Sequence, residues 1–432
     1  MTKDENEFLT RVGPSTPSGE LLRRYWHPVA AACELTPEKP IKRVTILGEK
    51  LVVFRMPAEA GQSEARYGLL AENCQHRLAS LFFGRVDEHG IRCPYHGWKF
   101  DLQGRCIEQP AEPPDSNYKD KIQQPAYVVE KLAGLLFAYM GPLPAPVLPR
   151  WDVLAREDGR RWGVIESVID CNWLQAMENS VDPAHLHWLH GSLGSEKSPV
   201  GEERYIALGI QAQYREKHEF IRFDYGIQKQ RITQGRNPGD PPLVEQHPLV
   251  FPTALRLVIS RSALSVRGSK NSAEAAQLTE EENKLGYLHN MQLRVPIDDT
   301  HTRVYHVNFL PSKTAVTPAE QDIVYEPCAL KNEAGEYDMN IVTAQDSLAW
   351  ESQGAITDRT KEHLGTTDRG VVMLRRLLKE QIEIVQRGGD PMGVVRDPAK
   401  NQVIHLEVFH QAFGLQDKTK QQAQDPAPAP AR

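Results

Sequence analysis

Two short Cys/His segments, held a fixed distance apart, constrain this chain more than any other feature. Cys74-Gln75-His76 is followed sixteen residues later by Cys93-Pro94-Tyr95-His96, giving C-x-H-x16-C-x2-H, and then by Gly97-Trp98. Each segment brings one thiolate and one imidazole. Cys74 and Cys93 suit one iron of a [2Fe–2S] cluster, and His76 and His96 the other. The two segments then belong in loops that wrap the tip of a small β-rich domain.

Mixed Cys/His sets also bind tetrahedral zinc. The ligand order speaks against that reading, because most zinc modules leave two to four residues between paired ligands and Cys-x-His leaves one. With two neutral imidazoles in place of anionic thiolates the cluster is of the Rieske type, whose potential lies above that of an all-cysteine ferredoxin. Such a centre passes single electrons, so the remaining chain is expected to hold whatever uses them.

A chain of 432 residues favours two or more domains. With 40% hydrophobic and 25% charged residues it has the composition of an ordinary globular protein. A formal net charge of −6 offers no footprint for nucleic acid or anionic membranes. The polar N-terminus lacks the apolar core of a signal peptide, and no apolar run reaches the length of a transmembrane helix. The other four cysteines, Cys33, Cys106, Cys171 and Cys328, are scattered and read as free thiols, which suits a reducing cytoplasm. Neither a G-x-G-x-x-G nor a P-loop occurs, so the chain is not expected to bind a nicotinamide or flavin itself.

Thr16-Pro17 predicts a helix start, with a short helix over 16–26. From 27 to 145, short β-rich runs (Arg43–Leu47, Leu51–Phe54, Leu135–Tyr139) alternate with Gly/Pro turns, the pattern of an all-β domain. The proline-rich stretch 141–149 marks a boundary. Beyond it the pattern predicts a strand at Trp162–Asp170, a helical segment at Trp173–His190, and strands at Glu219–Tyr225, Ala254–Ser260, Tyr287–Val295 and Thr302–Leu310. Val371, Leu374, Leu378, Ile382 and Val385 form an amphipathic stripe ended by Gly388-Gly389. Residues 415–432, ending Pro-Ala-Pro-Ala-Pro-Ala-Arg, have the composition of a disordered tail.

The second informative stretch runs from Asn172 to His190. It holds Glu178, Asn179, Asp182, His185, His187 and His190, three histidines and two carboxylates in thirteen residues. Two imidazoles and one carboxylate on one face of an iron leave positions open for O2 beside a substrate, as in non-haem Fe(II) oxygenases. Helical spacing alone mildly favours His187 with His190 (i, i+3), since His185 and His190 (i, i+5) share a face only in a distorted helix.

Taken together, the chain resembles the oxygenase (alpha) component of Rieske non-haem iron aromatic ring-hydroxylating oxygenases. The family pattern N-W-x4-E-N-x2-D-x2-H-x4-H is matched by Asn172, Trp173, Glu178, Asn179, Asp182, His185 and His190. The resemblance implies that His185 and His190 are iron ligands, with His187 at a free position. It also implies a third ligand, Asp346, in the segment Gln345–Glu351. Asp182 is implied to bridge His185 to His96 of the partner subunit, which would carry the electron between subunits of a homotrimer or of stacked trimers. Glu178 and Asn179 are implied to support the iron site or an interface.

The implied fold is α+β. An N-terminal helical segment (1–26) packs on the catalytic domain, and an all-β Rieske domain (27–145) follows. A catalytic domain (146–414) then carries an antiparallel sheet flanked by helices (helix-grip), ahead of the tail (415–432). The implied partners are an NAD(P)H-dependent reductase, with or without a ferredoxin, and an aromatic substrate, with O2 as co-substrate. Within the family the chain looks like the phthalate dioxygenase-type branch. The wording of 170–191 is similar to that of dehydrodivanillate O-demethylase oxygenases. Monooxygenation with O-demethylation of a methoxylated or carboxylated aromatic is therefore expected, against cis-dihydroxylation of a phthalate-like acid. Arg204, Arg215, Arg222 and Arg231 are candidates to clamp a carboxylate. A Rieske electron carrier without oxygenase activity would need only the first 150 residues or so.

Overall fold

The β-rich runs on either side of the Cys/His segments close into two sheets. In the computed structural model, which describes residues 1–59, 61, 64–193, 216–233, 239, 241–260, 285 and 287–410, two helices come first. These are α1 (Lys3–Thr10), with a Thr2/Glu5 capping box, and α2 (Pro17–Leu22), whose Thr16 cap accepts from Gly19 N–H. The expected helix over 16–26 ends at Leu22, because Trp26 already opens a strand.

That strand, β1 (Trp26–Ala31), belongs to a six-stranded sheet with β2 (Ile41–Ile46), β3 (Glu49–Met56), β4 (Arg66–Ala71), β9 (Ala126–Leu132) and β10 (Leu135–Tyr139), in the order β1-β10-β9-β4-β3-β2. Between β4 and β9, four short strands form a second sheet: β5 (Arg85–Val86), β6 (Ile91–Arg92), β7 (Lys99–Phe100) and β8 (Cys106–Glu108). The β2–β3 hairpin turns through Leu47 and Gly48 at φ +49° and +78°. A leucine tolerates that conformation here because it is fully buried and both turn N–H groups bond to the C-terminal part of the chain, at Pro296 and Ile297 (3.0 and 2.9 Å).

After α3 (Asp152–Ala155), the third sheet runs β12-β13-β14-β15-β16-β17-β11-β18. Its strands are β11 (Gly159–Glu166), β12 (Glu216–Phe223), β13 (Gly226–Thr233), β14 (Leu243–Val250), β15 (Ala254–Ser260), β16 (Tyr287–Pro296), β17 (Thr302–Pro311) and β18 (Tyr325–Cys328). All neighbours are antiparallel except β11 and β18. β14 and β15 pair over only two residues each, and the short β19 (Phe409–His410) pairs with β14 at Glu245 and Gln246.

One face of this sheet carries α4 (Trp173–Asn179) and α5 (Val342–Glu351). Val164 and Val304 on the sheet share a buried cluster with Ala176 of α4 and Ala344 and Trp350 of α5. α6 (Arg369–Gln386) buries Val371, Leu374, Leu378, Ile382 and Val385, the stripe read from the sequence. It ends where Gly388 takes φ +82°. The expected continuous helix from Trp173 to His190 is broken. α4 stops at Asn179, Asp182-Pro183 interrupts it because proline lacks the N–H a helix interior needs, and a π-helix spans Leu186–Leu193. The tail expected to be disordered lies outside the described residues.

Candidate metal centres

The two Cys/His segments form matching loops. Cys74 N–H bonds Ala79 O and Leu78 N–H returns to Cys74 O, both at 2.9 Å. Cys93 N–H bonds Trp98 O (2.8 Å) and Gly97 N–H returns to Cys93 O (3.2 Å). In each loop the fourth residue after the cysteine has a positive φ, Leu78 at +60° and Gly97 at +75°. The loops thereby bring four candidate ligands together. The Cys74 and Cys93 thiols are buried and adjacent, and the His76 and His96 rings lie 4.6 Å apart between centroids. Trp98 stacks on His76 at 4.3 Å. Burial, with Cys93 close by, pushes the Cys74 thiol up to about 12, and His96 Nδ1 is buried without a hydrogen-bond partner among the described residues. Two adjacent buried thiols, and an imidazole nitrogen with an idle lone pair, fit a metal cluster.

The second group is built by the π-helix. Its i→i+5 hydrogen bonds put residue i+5 about one turn above residue i, so histidines five apart face the same way. His185, just before that segment, and His190 within it have ring centroids 5.2 Å apart. Asp346 of α5 completes the set: its Oδ1 is 3.3 Å from His190 Nε2 and 3.7 Å from His185 Nε2. One ligand atom from each of the three residues lies within 4.8 Å of the others. Burial opposes ionisation of Asp346, yet the His190 and His185 rings hold it well below the usual carboxylate range. This donor set matches the two-histidine, one-carboxylate chemistry of a non-haem iron. The side chain of His187 lies outside the described residues.

The surrounding groups orient the three. His190 Nδ1 meets Gln345 Oε1 at 2.8 Å, and Gln345 Nε2 is anchored on Met339 O at 2.7 Å, fixing the ring so that Nε2 faces Asp346. Asn179 Nδ2 donates to Asp346 Oδ1 at 3.3 Å. Asp182 Oδ2 lies 3.8 Å from His185 Nδ1, beyond a hydrogen bond, while its Oδ1 accepts from Ala184 N–H at 2.9 Å. Burial works against the Asp182 carboxylate, but His185 holds it below its ordinary value. Glu178 points elsewhere, into Arg359 and Arg375 (2.7 and 2.6 Å).

Of the arginines proposed as clamps, Arg222 pairs with exposed Glu380 (2.8 Å) and Arg231 pairs with Glu245, while Arg204 and Arg215 lie outside the described residues. Sequence reasoning passed over three residues that matter here: Gln345, Arg294 and Lys229. Arg294 of β16 donates to Ala176 O and Ser180 Oγ and lies over the Trp350 ring at 4.8 Å. Lys229 of β13 is pushed down to about 8 by burial and by Arg294, against the pull of Asp182. Lys229 carries a signal in hindsight, being a lysine in a strand whose neighbours on the same face, Ile227 and Arg231, are buried.

An all-β domain with two cluster-binding loops, joined to a helix-covered sheet bearing two histidines and an aspartate, defines an iron-dependent oxygenase with its own electron store. Residues 25–128 match the Rieske [2Fe-2S] domain family, and residues 169–383 match the vanillate O-demethylase oxygenase C-terminal domain. The chain is 36% identical over 430 residues to the 5,5'-dehydrodivanillate O-demethylase oxygenase subunit of Sphingobium sp. (strain NBRC 103272 / SYK-6), covering 98% of this chain and 90% of that one. It is 30% identical to the phthalate 4,5-dioxygenase oxygenase subunit of Pseudomonas putida, covering 91% and 89%. Among solved structures, NdmA of Pseudomonas putida CBB5 with caffeine superposes with a TM-score of 0.58 at 20% identity, over 91% of this chain and 98% of that one. The chain belongs to the Rieske non-haem iron oxygenases, as an oxygenase component. It works with a [2Fe–2S] cluster, a mononuclear iron and O2, and takes electrons from a reductase or ferredoxin partner to oxidise an aromatic compound. Among the described residues no helix is long and apolar enough to cross a membrane.

Proposed function

We propose that this oxygenase removes a methyl group from a methoxylated, carboxylated aromatic by monooxygenation. The observation that carries the reading is the 36% identity, over almost the whole chain, to an O-demethylase of a dimeric vanillate. Cys74, His76, Cys93 and His96 would hold the cluster, and His185, His190 and Asp346 the iron. When bound, the iron supplies the oxidising chemistry and the cluster supplies single electrons. The residues of the chain hold and orient. Gln345 fixes His190, Asn179 fixes Asp346, and Lys229 offers the sheet face a cation suited to a substrate carboxylate. Glu178 ties α4 to Arg359 and Arg375 and so keeps the helix in place.

A panel of methoxybenzoates, biaryls and phthalates tests the reading. Formaldehyde release with a product lighter by one CH2 is the expected result, and a product heavier by O2 plus two hydrogens overturns it. That second outcome is the reading favoured by the 30% identity to a phthalate dioxygenase.

We further infer a ring of three copies. The Rieske tip exposes Leu78, Phe83 and Tyr95, and the π-helix beside the iron triad exposes Trp188, each more than half accessible. These are two different patches on one chain, so copies pair head to tail, and a ring is the closed form of that contact. It would bring His96 of the partner subunit towards Asp182. With no disulfide among the six cysteines, the assembly suits the reducing cytoplasm.

A further inference from the structure

The sheet face under the metal-binding helices carries buried polar atoms that the protein leaves idle. Cross-strand partners point to the same side of a sheet. Register pairs Val164 with His306 and His306 with Gln292, and it pairs Trp162 with Asn308 and Asn308 with Asn290. Glu166, two residues beyond Val164, points the same way. Arg294 also lies on this face and touches α4 and the Trp350 ring of α5, so the face is the one turned towards the helix that carries Asp346.

On it, His306 Nε2 meets Glu166 Oε1 at 2.7 Å, and Asn290 Nδ2 donates to Asn308 Oδ1 at 2.8 Å. His306 Nδ1, Glu166 Oε2, Asn290 Oδ1 and Trp162 Nε1 are then buried with no hydrogen-bond partner among the described residues. Their side chains belong to residues 3, 3, 0 and 5% exposed. Native interiors keep few such atoms, and several on one face call for a ligand or water. Beside them Trp162, Leu288 and Leu310 form an apolar cluster of their own, a seat for a ring.

The chemistry of these atoms selects the ligand group. His306 donates its Nε2–H to the Glu166 carboxylate, and in the neutral imidazole this leaves Nδ1 as an acceptor. Glu166 Oε2 and Asn290 Oδ1 are acceptors as well. Three acceptors, one of them a carboxylate oxygen, beside a single donor, Trp162 Nε1–H, disfavour a carboxylate and suit a hydroxyl, which donates to an acceptor and can accept from the indole. We propose that Glu166, His306 and Asn290 form a hydroxyl-anchoring site that holds a phenolic group of the aromatic substrate and so positions its neighbouring substituent towards the iron triad. The carboxylate end is left to the Lys229 side of the sheet. The proposal deepens the O-demethylation reading and rests on it for the choice of an aromatic ligand. These are positioning residues, acting through the substrate's orientation.

The test is equilibrium dialysis of the anaerobic holoenzyme with two probes that differ by one methyl group, 4-hydroxy-3-methoxybenzoate and 3,4-dimethoxybenzoate. Wild type should bind the phenol about tenfold or more tightly than the ether, the scale of a buried hydrogen bond to a fixed acceptor. His306→Phe should bring the two within about twofold by weakening the phenol alone, with the cluster absorption unchanged. His306→Asn, whose amide oxygen can take the place of Nδ1, should keep part of the preference and covers the case of a poorly folding phenylalanine variant. Equal affinities in wild type, no binding of the phenol, or an undiminished preference in His306→Phe overturns the proposal. A wild-type preference that His306→Phe abolishes supports the anchor, and if the aerobic panel of methoxybenzoates and biaryls with reductant then releases no formaldehyde, the demethylation reading fails while the anchor stands.

Discussion

Replacing Glu178 by leucine separates a structural role from a role in turnover. Glu178 accepts from Arg359 Nε (3.0 and 3.1 Å) and Nη2 (2.7 Å) and from Arg375 Nε (2.6 Å). In Glu178→Leu, Arg375 keeps both bonds to Glu362 (2.7 and 2.8 Å). Arg359 does not fare as well: its side chain is 0% exposed, and it retains only Asn6 Oδ1 at 3.1 Å and Thr357 O at 3.5 Å. The cost is therefore that of one buried guanidinium without its carboxylate, about 3–5 kcal/mol. At 2–4 °C per kcal/mol for a domain of this size, the catalytic domain should melt about 6–20 °C lower. Tryptophan fluorescence reports that domain through Trp173 and Trp350, both buried in it, while cluster absorbance follows the other. The double variant Glu178→Leu with Arg359→Met should recover most of the loss, because an apolar pair avoids the desolvation of both charges. A single variant that melts within about 2 °C of wild type yet fails to turn over would refute this reasoning and move Glu178 into the chemistry.

Asp182→Asn should leave both metal contents intact and slow turnover by about tenfold or more, since the amide lacks the carboxylate charge beside His185 Nδ1 on which the proposed bridge to His96 of the partner subunit rests; metal analysis beside single-turnover kinetics measures this, and normal turnover counts against the role. Gln345→Leu removes the acceptor 2.8 Å from His190 Nδ1 and should weaken iron binding about 10–100-fold while the cluster stays loaded, as chelator competition would show. His27 is 1% exposed, and burial lowers it from 6.5 to about 4, so the unfolded chain binds the extra proton between those values. Stability should therefore fall as pH drops through that window, by about 2 kcal/mol between pH 7 and 5 from this residue. Denaturant unfolding at both pH values checks it, with His27→Gln losing that part of the slope.

What the sequence disclosed and what it hid differ in range. The cluster loops were legible because each is local: cysteine and histidine lie within four residues, and the turn that closes each loop is set by its own fourth position. The pairing of His185 with His190 was legible only through resemblance. Ordinary helical spacing favoured His187, and what reverses that preference is a π-helix, a backbone choice made after the Pro183 break and under tertiary packing. Asp346 and its neighbour Gln345 arrive from a helix more than 150 residues away, and no periodicity joins the two segments. The idle polar atoms were hidden for a different reason. β16 alternates Asn290, Gln292 and Arg294 with Met291, Leu293 and Val295, and an alternating strand is ordinarily read as polar to water and apolar to core. Here both faces are buried. A distinguishing mark was present all the same. On β16 and β17 the polar positions of that face are amides, an imidazole, the Thr302 hydroxyl and one guanidinium, with no lysine or glutamate among them. Side chains of that kind can hydrogen-bond in a dry interior, and two adjacent strands carrying them on the same face make a wall suited to the hydroxyl anchor proposed above.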